Sequence, residues 1–105
     1  VFAERVLEGI DESGAEERVV IWVERRAGAL WVVGRAVNPQ HRPDHRPRPE
    51  DVIFEGYELD DALESANAAL DDDLRVSRED GRAQELAPFR RGELLEPLER
   101  WFFGR

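Results

Sequence analysis

Two histidines, three arginines and an aspartate fall within residues 38–50, in the run NPQHRPDHRPRPE. By type they could do two kinds of chemistry. His41 and His45, with Asp44 between them, have the spacing that places two imidazoles on one helix face for a metal ion. Arg42, Arg46 and Arg48 carry planar guanidinium groups that suit carboxylate or phosphate. Pro39, Pro43, Pro47 and Pro49 decide between the two. Proline at this density excludes both helix and sheet, so the geometric reason for the histidine spacing disappears. Two imidazoles and one carboxylate on a loop would hold zinc only weakly, so no metal and no cofactor are expected.

The arginines keep a recognition role. An exposed, semi-extended loop with three arginines against one aspartate suits an acidic partner or a nucleic-acid backbone. Arg42, His45, Arg46 and Arg48 are therefore the expected partner-binding residues. The competing expectation folds the loop back onto the protein's own acidic helix. Three arginines make only about three phosphate contacts, an affinity that salt erodes steeply.

The remaining chemistry is sparse. The serines are Ser13, Ser65 and Ser77, none with a histidine near it in sequence, and there is no cysteine. That excludes disulfides, thiolate metal sites and a cysteine nucleophile. No glycine-rich phosphate loop or nucleophile elbow is present. Asp71, Asp72 and Asp73 lack the spaced ligands and glycine of a calcium loop. Carboxylate pairs are too numerous to single one out, so catalysis is not expected. Trp22, Trp31, Trp101, Phe102 and Phe103 could form a stacking platform, but aromatics at core spacing point first to a core or dimer face.

Composition bounds the partners. The chain has 105 residues, 24 acids against 15 bases and a formal charge of −9. That favours solubility and opposes nucleic acid or anionic membrane as a whole-surface partner. Every base is arginine, which fits the coding bias of a GC-rich bacterial or archaeal genome. No apolar run approaches the roughly 20 residues that span a bilayer, and the start is too acidic for a signal peptide. A cytoplasmic protein of one domain, residues 1–105, is the expectation.

These residues need elements to position them. Residues 19–23 (VVIWV) and 30–37 (LWVVGRAV) are β-branched and aromatic around a glycine-containing turn, a hairpin signal. A two-residue Ala27-Gly28 turn sets Ile21 opposite Gly34 and Trp22 opposite Val33. One face is then Val19, Ile21, Val23, Val32 and Ala36; the other is Val20, Trp22, Trp31 and Val33. Alanine is a poor first residue for such a turn, so a longer loop with an altered register competes. Both faces are apolar, so the hairpin needs cover on both sides.

Residues 5–11 are expected as a strand, with a helix competing, and residues 51–57 as a further strand. Residues 59–74 read as a helix with a stripe of Leu59, Leu63, Ala66 and Leu70, packed where Gly34 offers room and ending near Asp71 to Asp73. SREDGRAQ follows as loop. Leu94, Leu95, Leu98, Trp101 and Phe102 recur at helical spacing, with the regular helix starting near Glu96 because Pro97 fits only a first turn.

A hairpin with a Val33-Gly34-Arg35 step, a further strand, and a helix opening at residues 58–62 resembles in outline the WGR module of nucleic-acid-associated enzymes. Valine stands here where that family has tryptophan. A strand meander followed by a helix is also similar to the whirly type of single-strand binder. Neither likeness rests on a specific motif, so no family is assigned; together they make nucleic-acid binding the second functional expectation.

The expected fold is α+β: an antiparallel sheet of three to four strands, one helix packed on it, and a C-terminal amphipathic helix covering the other face or dimerising through it. The expected function is a small interaction or regulatory domain without catalysis, a homodimer through Trp22, Trp31, Trp101 and Phe102. Nucleic-acid binding through the arginines, and a small-ligand or metal enzyme, are the alternatives.

Overall fold

The computed structural model describes residues 2–44, 46–81 and 84–95. Four strands run antiparallel in chain order: β1 (Phe2–Ile10), β2 (Glu16–Arg26), β3 (Leu30–Val37) and β4 (Val52–Gly56). One long helix, α1 (Leu59–Glu79), crosses a single face of this sheet, and residues 91–95 form a further helical turn. The architecture is α+β, as a run of strand signals followed by a helix signal predicts. Among the described residues no helix is long and apolar enough to cross a membrane.

The β2–β3 hairpin corrects the register read from the turn. Its loop has three residues, Ala27–Ala29, with Gly28 at φ 79° and Ala29 at φ 63°. A two-residue turn of the type that fits twisted strands would put positive φ on Ala27, whereas the observed loop puts it on Ala29, so one alanine is left-handed in either arrangement. The longer loop moves the positive φ onto Gly28 and Ala29. Trp22 consequently faces Gly34, and Val23 faces Val33. A slip of one residue turns every β3 side chain to the opposite face. Trp31 and Val33 therefore join Val19, Ile21 and Val23 beneath α1, while Val32, Gly34 and Ala36 lie with Val20 and Trp22 on the back. Trp22 and Trp31 share no face, so the expected pairing of these two indoles does not form.

Gly34 has a different use from the one expected. A Cβ placed there would lie 2.0 Å from Cζ2 of Trp22. The glycine makes room for the indole on the back of the sheet, not for the helix on its front. β4 joins β3 through an irregularity: Val33 pairs with Phe54 but Gly34 with Val52, leaving Ile53 as the extra residue.

On the front, α1 buries Leu59, Ala62, Leu63, Ala66, Leu70, Leu74 and Ser77 at three- and four-residue steps. They meet Ala3, Leu7, Ile21, Val23, Trp31 and Val33. Fully buried Leu and Val side chains of this kind contribute roughly 1.5–3 kcal/mol each. The aspartates at 71–73 do not end the helix. Asp73 is held by both Nε and Nη2 of Arg35 on β3, each at 2.8 Å, and Leu74 and Ser77 extend the buried stripe. These contacts outweigh a dipole penalty of about 0.3–1 kcal/mol. The helix ends instead just before Gly81, whose φ of 79° suits a left-handed stop.

Residues 84–95 return along the same front face. The Gln84 amide accepts from the Glu8 N–H and donates to the Glu8 carbonyl, filling a rung on the outer edge of β1 as a strand would. Asn67 on α1 does the same for Phe89, accepting at 2.7 Å and donating at 3.1 Å. Arg5 donates to the Ala87 and Pro88 carbonyls and to both Glu93 oxygens, with its guanidinium 4.5 Å from the Phe89 ring centre. Phe89 and Leu94 are thereby buried in the helix-side core. Leu94 and Leu95, the first two residues of the expected C-terminal stripe, thus pack on the α1 face. The residues from Glu96 onward, with Trp101 and Phe102, lie outside the described set.

Candidate docking cleft on the back of the sheet

The back of the sheet is covered by residues 38–44 and 46–51 of the proline-rich run, acting as a strap. It begins where the Asn38 side chain accepts from the Arg18 N–H at 2.7 Å and the Asn38 N–H donates to the Arg18 carbonyl. Two short 3-10 turns, Pro39–His41 and Pro49–Asp51, take up two of the four prolines, Pro39 and Pro49, at their first positions, where a missing N–H costs nothing. Asn38 enters the first turn at φ 51°, a conformation asparagine tolerates.

The strap is closed on itself by a fork. Arg42 Nη1 and Nη2 donate to the two oxygens of Asp51 at 2.5 and 2.7 Å, and the Arg48 N–H adds a third bond at 2.8 Å. The Arg42 guanidinium, with lesser help from the Arg48 N–H, holds the Asp51 carboxyl below its ordinary range. The side chains of Arg42 and Asp51 are only 13 % and 6 % exposed. The loop thus folds back onto its own far end, not onto the acidic helix. Arg42 is a structural cation, leaving Arg46 and Arg48 from the expected set; His45 lies outside the described residues.

Between the strap and β1 lies a cleft of about 180 Å³. Its walls are Phe2 and Glu4 on one side and Pro39, Arg42, Arg46 and Pro47 on the other; Val20, Trp22 and Ala36 form the floor. Trp22 is buried at 4 % exposure, and its Nε1 has no hydrogen-bond partner among the described residues. Phe2, by contrast, is 57 % exposed at the lip. The structure therefore brings Trp22, Arg42 and Arg46 into one cleft, though the sequence places them in separate groups. Sequence reading missed Phe2 and Glu4, because the β1 face they occupy becomes a wall only once the strap folds over.

A second cleft, of about 250 Å³, opens on the front where β1, β2 and β3 meet the end of α1. Its polar lining includes Arg35, Asp73, Glu17, Ser77, Asp80 and Gln84. Arg35 is committed to Asp73, which together with Glu17 raises its already high pKa. Ser77 stands among the carboxylates of Glu17, Asp73 and Asp80 in this cleft, and none of the residues lining it is a histidine. Trp31 lies elsewhere on the front, under Arg25 with the guanidinium 5.7 Å from its ring centre, as part of the core. Among the described residues no three His, Asp or Glu side chains are grouped to hold a metal ion.

No protein-family model, curated protein or solved structure matches this chain.

Proposed function

We propose that this chain is a small, non-catalytic interaction domain whose docking surface is the cleft between β1 and the strap. The observation that carries the reading is an apolar floor of Val20, Trp22 and Ala36 with Phe2 more than half exposed at its lip. Apolar side chains left open beside a rigid, concave floor are the usual anchor points for a partner. The front cleft supports this reading less, because its charged groups already serve one another. Nucleic-acid binding loses support from the Arg42–Asp51 fork, which removes one of three loop guanidinium groups from use.

A titration of the isotope-labelled chain with phenol tests the choice of surface. Backbone amides of Val20, Trp22 and Ala36 are expected to shift, with Arg35 and Asp73 unmoved. Shifts concentrated around Arg35, Asp73 and Ser77 would transfer the docking role to the front.

Self-association is the second reading. Phe2 and Ile10, 57 % and 54 % exposed, sit at the two ends of the same β1 face. A second copy laid over that face would bury both. Light scattering that shows a strict monomer, unchanged in a Phe2→Asp variant, removes the homodimer.

A further inference from the structure

Resting on the cleft reading above, we infer that the cleft receives one aromatic side chain of a partner protein, flanked by a basic residue and an acidic residue. The size sets the first part. An engineered cavity of about 150 Å³ holds benzene, whereas pockets for drug-sized ligands run from roughly 300 to 1,000 Å³. At about 180 Å³ this cleft takes a single aromatic side chain, up to an indole, and little else. A group of that size is a side chain anchored by the chain around it. The lining agrees: proline, valine, alanine and aromatic walls reward an apolar ring.

The charges set the second part. Glu4 stands on the β1 wall, on the same face as its cross-strand neighbour Trp22. Arg46 stands on the strap wall, exposed, its backbone N–H donating to the Asp44 carboxylate and its guanidinium with no carboxylate partner among the described residues. Arg42 is neutralised by Asp51. Among the described residues, the cleft thus presents one anion and one cation without a charged side-chain partner, on opposite walls. A segment crossing it gains from a base over β1 and an acid over the strap. A nucleic-acid strand, anionic at every phosphate, meets Glu4 and a molecule of net charge −9.

The test uses the full chain and amide shifts of Val20, Trp22 and Ala36 as the reporter. The probes are acetyl-Lys-Trp-Glu-amide, its Glu-Trp-Glu and Lys-Trp-Lys relatives, Lys-Ala-Glu, free indole-3-acetate and a short oligothymidylate. The Lys-Trp-Glu peptide is expected to bind best. Each mismatched charge weakens binding by about 1.5- to 5-fold, the range of an exposed ion pair. Lys-Ala-Glu is expected to shift nothing. Both charge swaps are at exposed sites: Glu4→Lys should turn the preference to Glu-Trp-Glu, and Arg46→Glu to Lys-Trp-Lys.

If no tryptophan peptide moves the cleft resonances, both the docking surface and the inference fall. Cleft shifts of equal strength for all three peptides, unaltered by the swaps, overturn the inference and leave the docking surface standing. Tighter binding of indole-3-acetate or of the oligonucleotide than of Lys-Trp-Glu overturns the inference in favour of a metabolite or a nucleic acid.

Discussion

At residue scale the back face depends on one absent atom. Gly34 is glycine because the Trp22 benzo ring occupies the space of its Cβ. Gly34→Ala should cost about 1–3 kcal/mol, the usual penalty for overpacking, read as a lower urea midpoint. The cost should shrink in a Trp22→Leu background, where that ring is gone. The same penalty in both backgrounds would place the constraint in the β3 backbone. Asp51 gives a second prediction. Its folded pKa lies below the ordinary value of 3.8, so it adds stability above that pH and loses it as pH falls through the folded value. Asp51→Asn should therefore be less stable than wild type at neutral pH, with the two curves converging below about pH 4. Parallel acid-unfolding curves would show that the fork contributes nothing.

At element scale the legible parts are those fixed by periodicity. The β-branched runs, the acidic N-terminus of α1 and its Leu/Ala stripe are local patterns, and each became the element expected. The hairpin register was not legible. It turned on a loop of three residues instead of two, with an alanine at positive φ in either turn, and that difference decided which face holds Trp31. Residues 84–95 were also hidden, because side-chain amides and not a backbone ladder hold them. Asn67 supplies two hydrogen bonds to Phe89, each worth about 1 kcal/mol net. Asn67→Ala should lower stability by about 2 kcal/mol and speed amide exchange at Phe89 and Leu94 while leaving β2 and β3 protected. Uniform acceleration across the sheet would show that this segment is no separate unit.

At the scale of the whole molecule, charge and apolar surface pull in different directions. Nine carboxylates lack a formal counter-charge, since 24 acids stand against 15 arginines. Self-repulsion of this kind destabilises the compact state and is screened over about 10 Å at 0.1 M salt. Calorimetry should show the melting temperature rising with sodium chloride by about 4–8 °C, equivalent to roughly 1 kcal/mol in a domain of this size. A fall would mean that the surface ion pairs outweigh the repulsion. The candidate site was half legible at this scale. The strap was identifiable as the place to look from its prolines and arginines. Its partner wall was not, because Phe2 and Glu4 come from the far end of the chain and meet it only through the sheet.

The account stands on the strap closing over Trp22, latched by Arg42 and Asp51. The Trp22 indole proton reports on that directly, being buried without a hydrogen-bond partner among the described residues. Its exchange with solvent, followed by proton–nitrogen NMR, should be slow in the wild-type chain and much faster in Asp51→Asn. An indole proton that exchanges at the free rate in the wild-type chain would contradict the closed strap and, with it, the cleft.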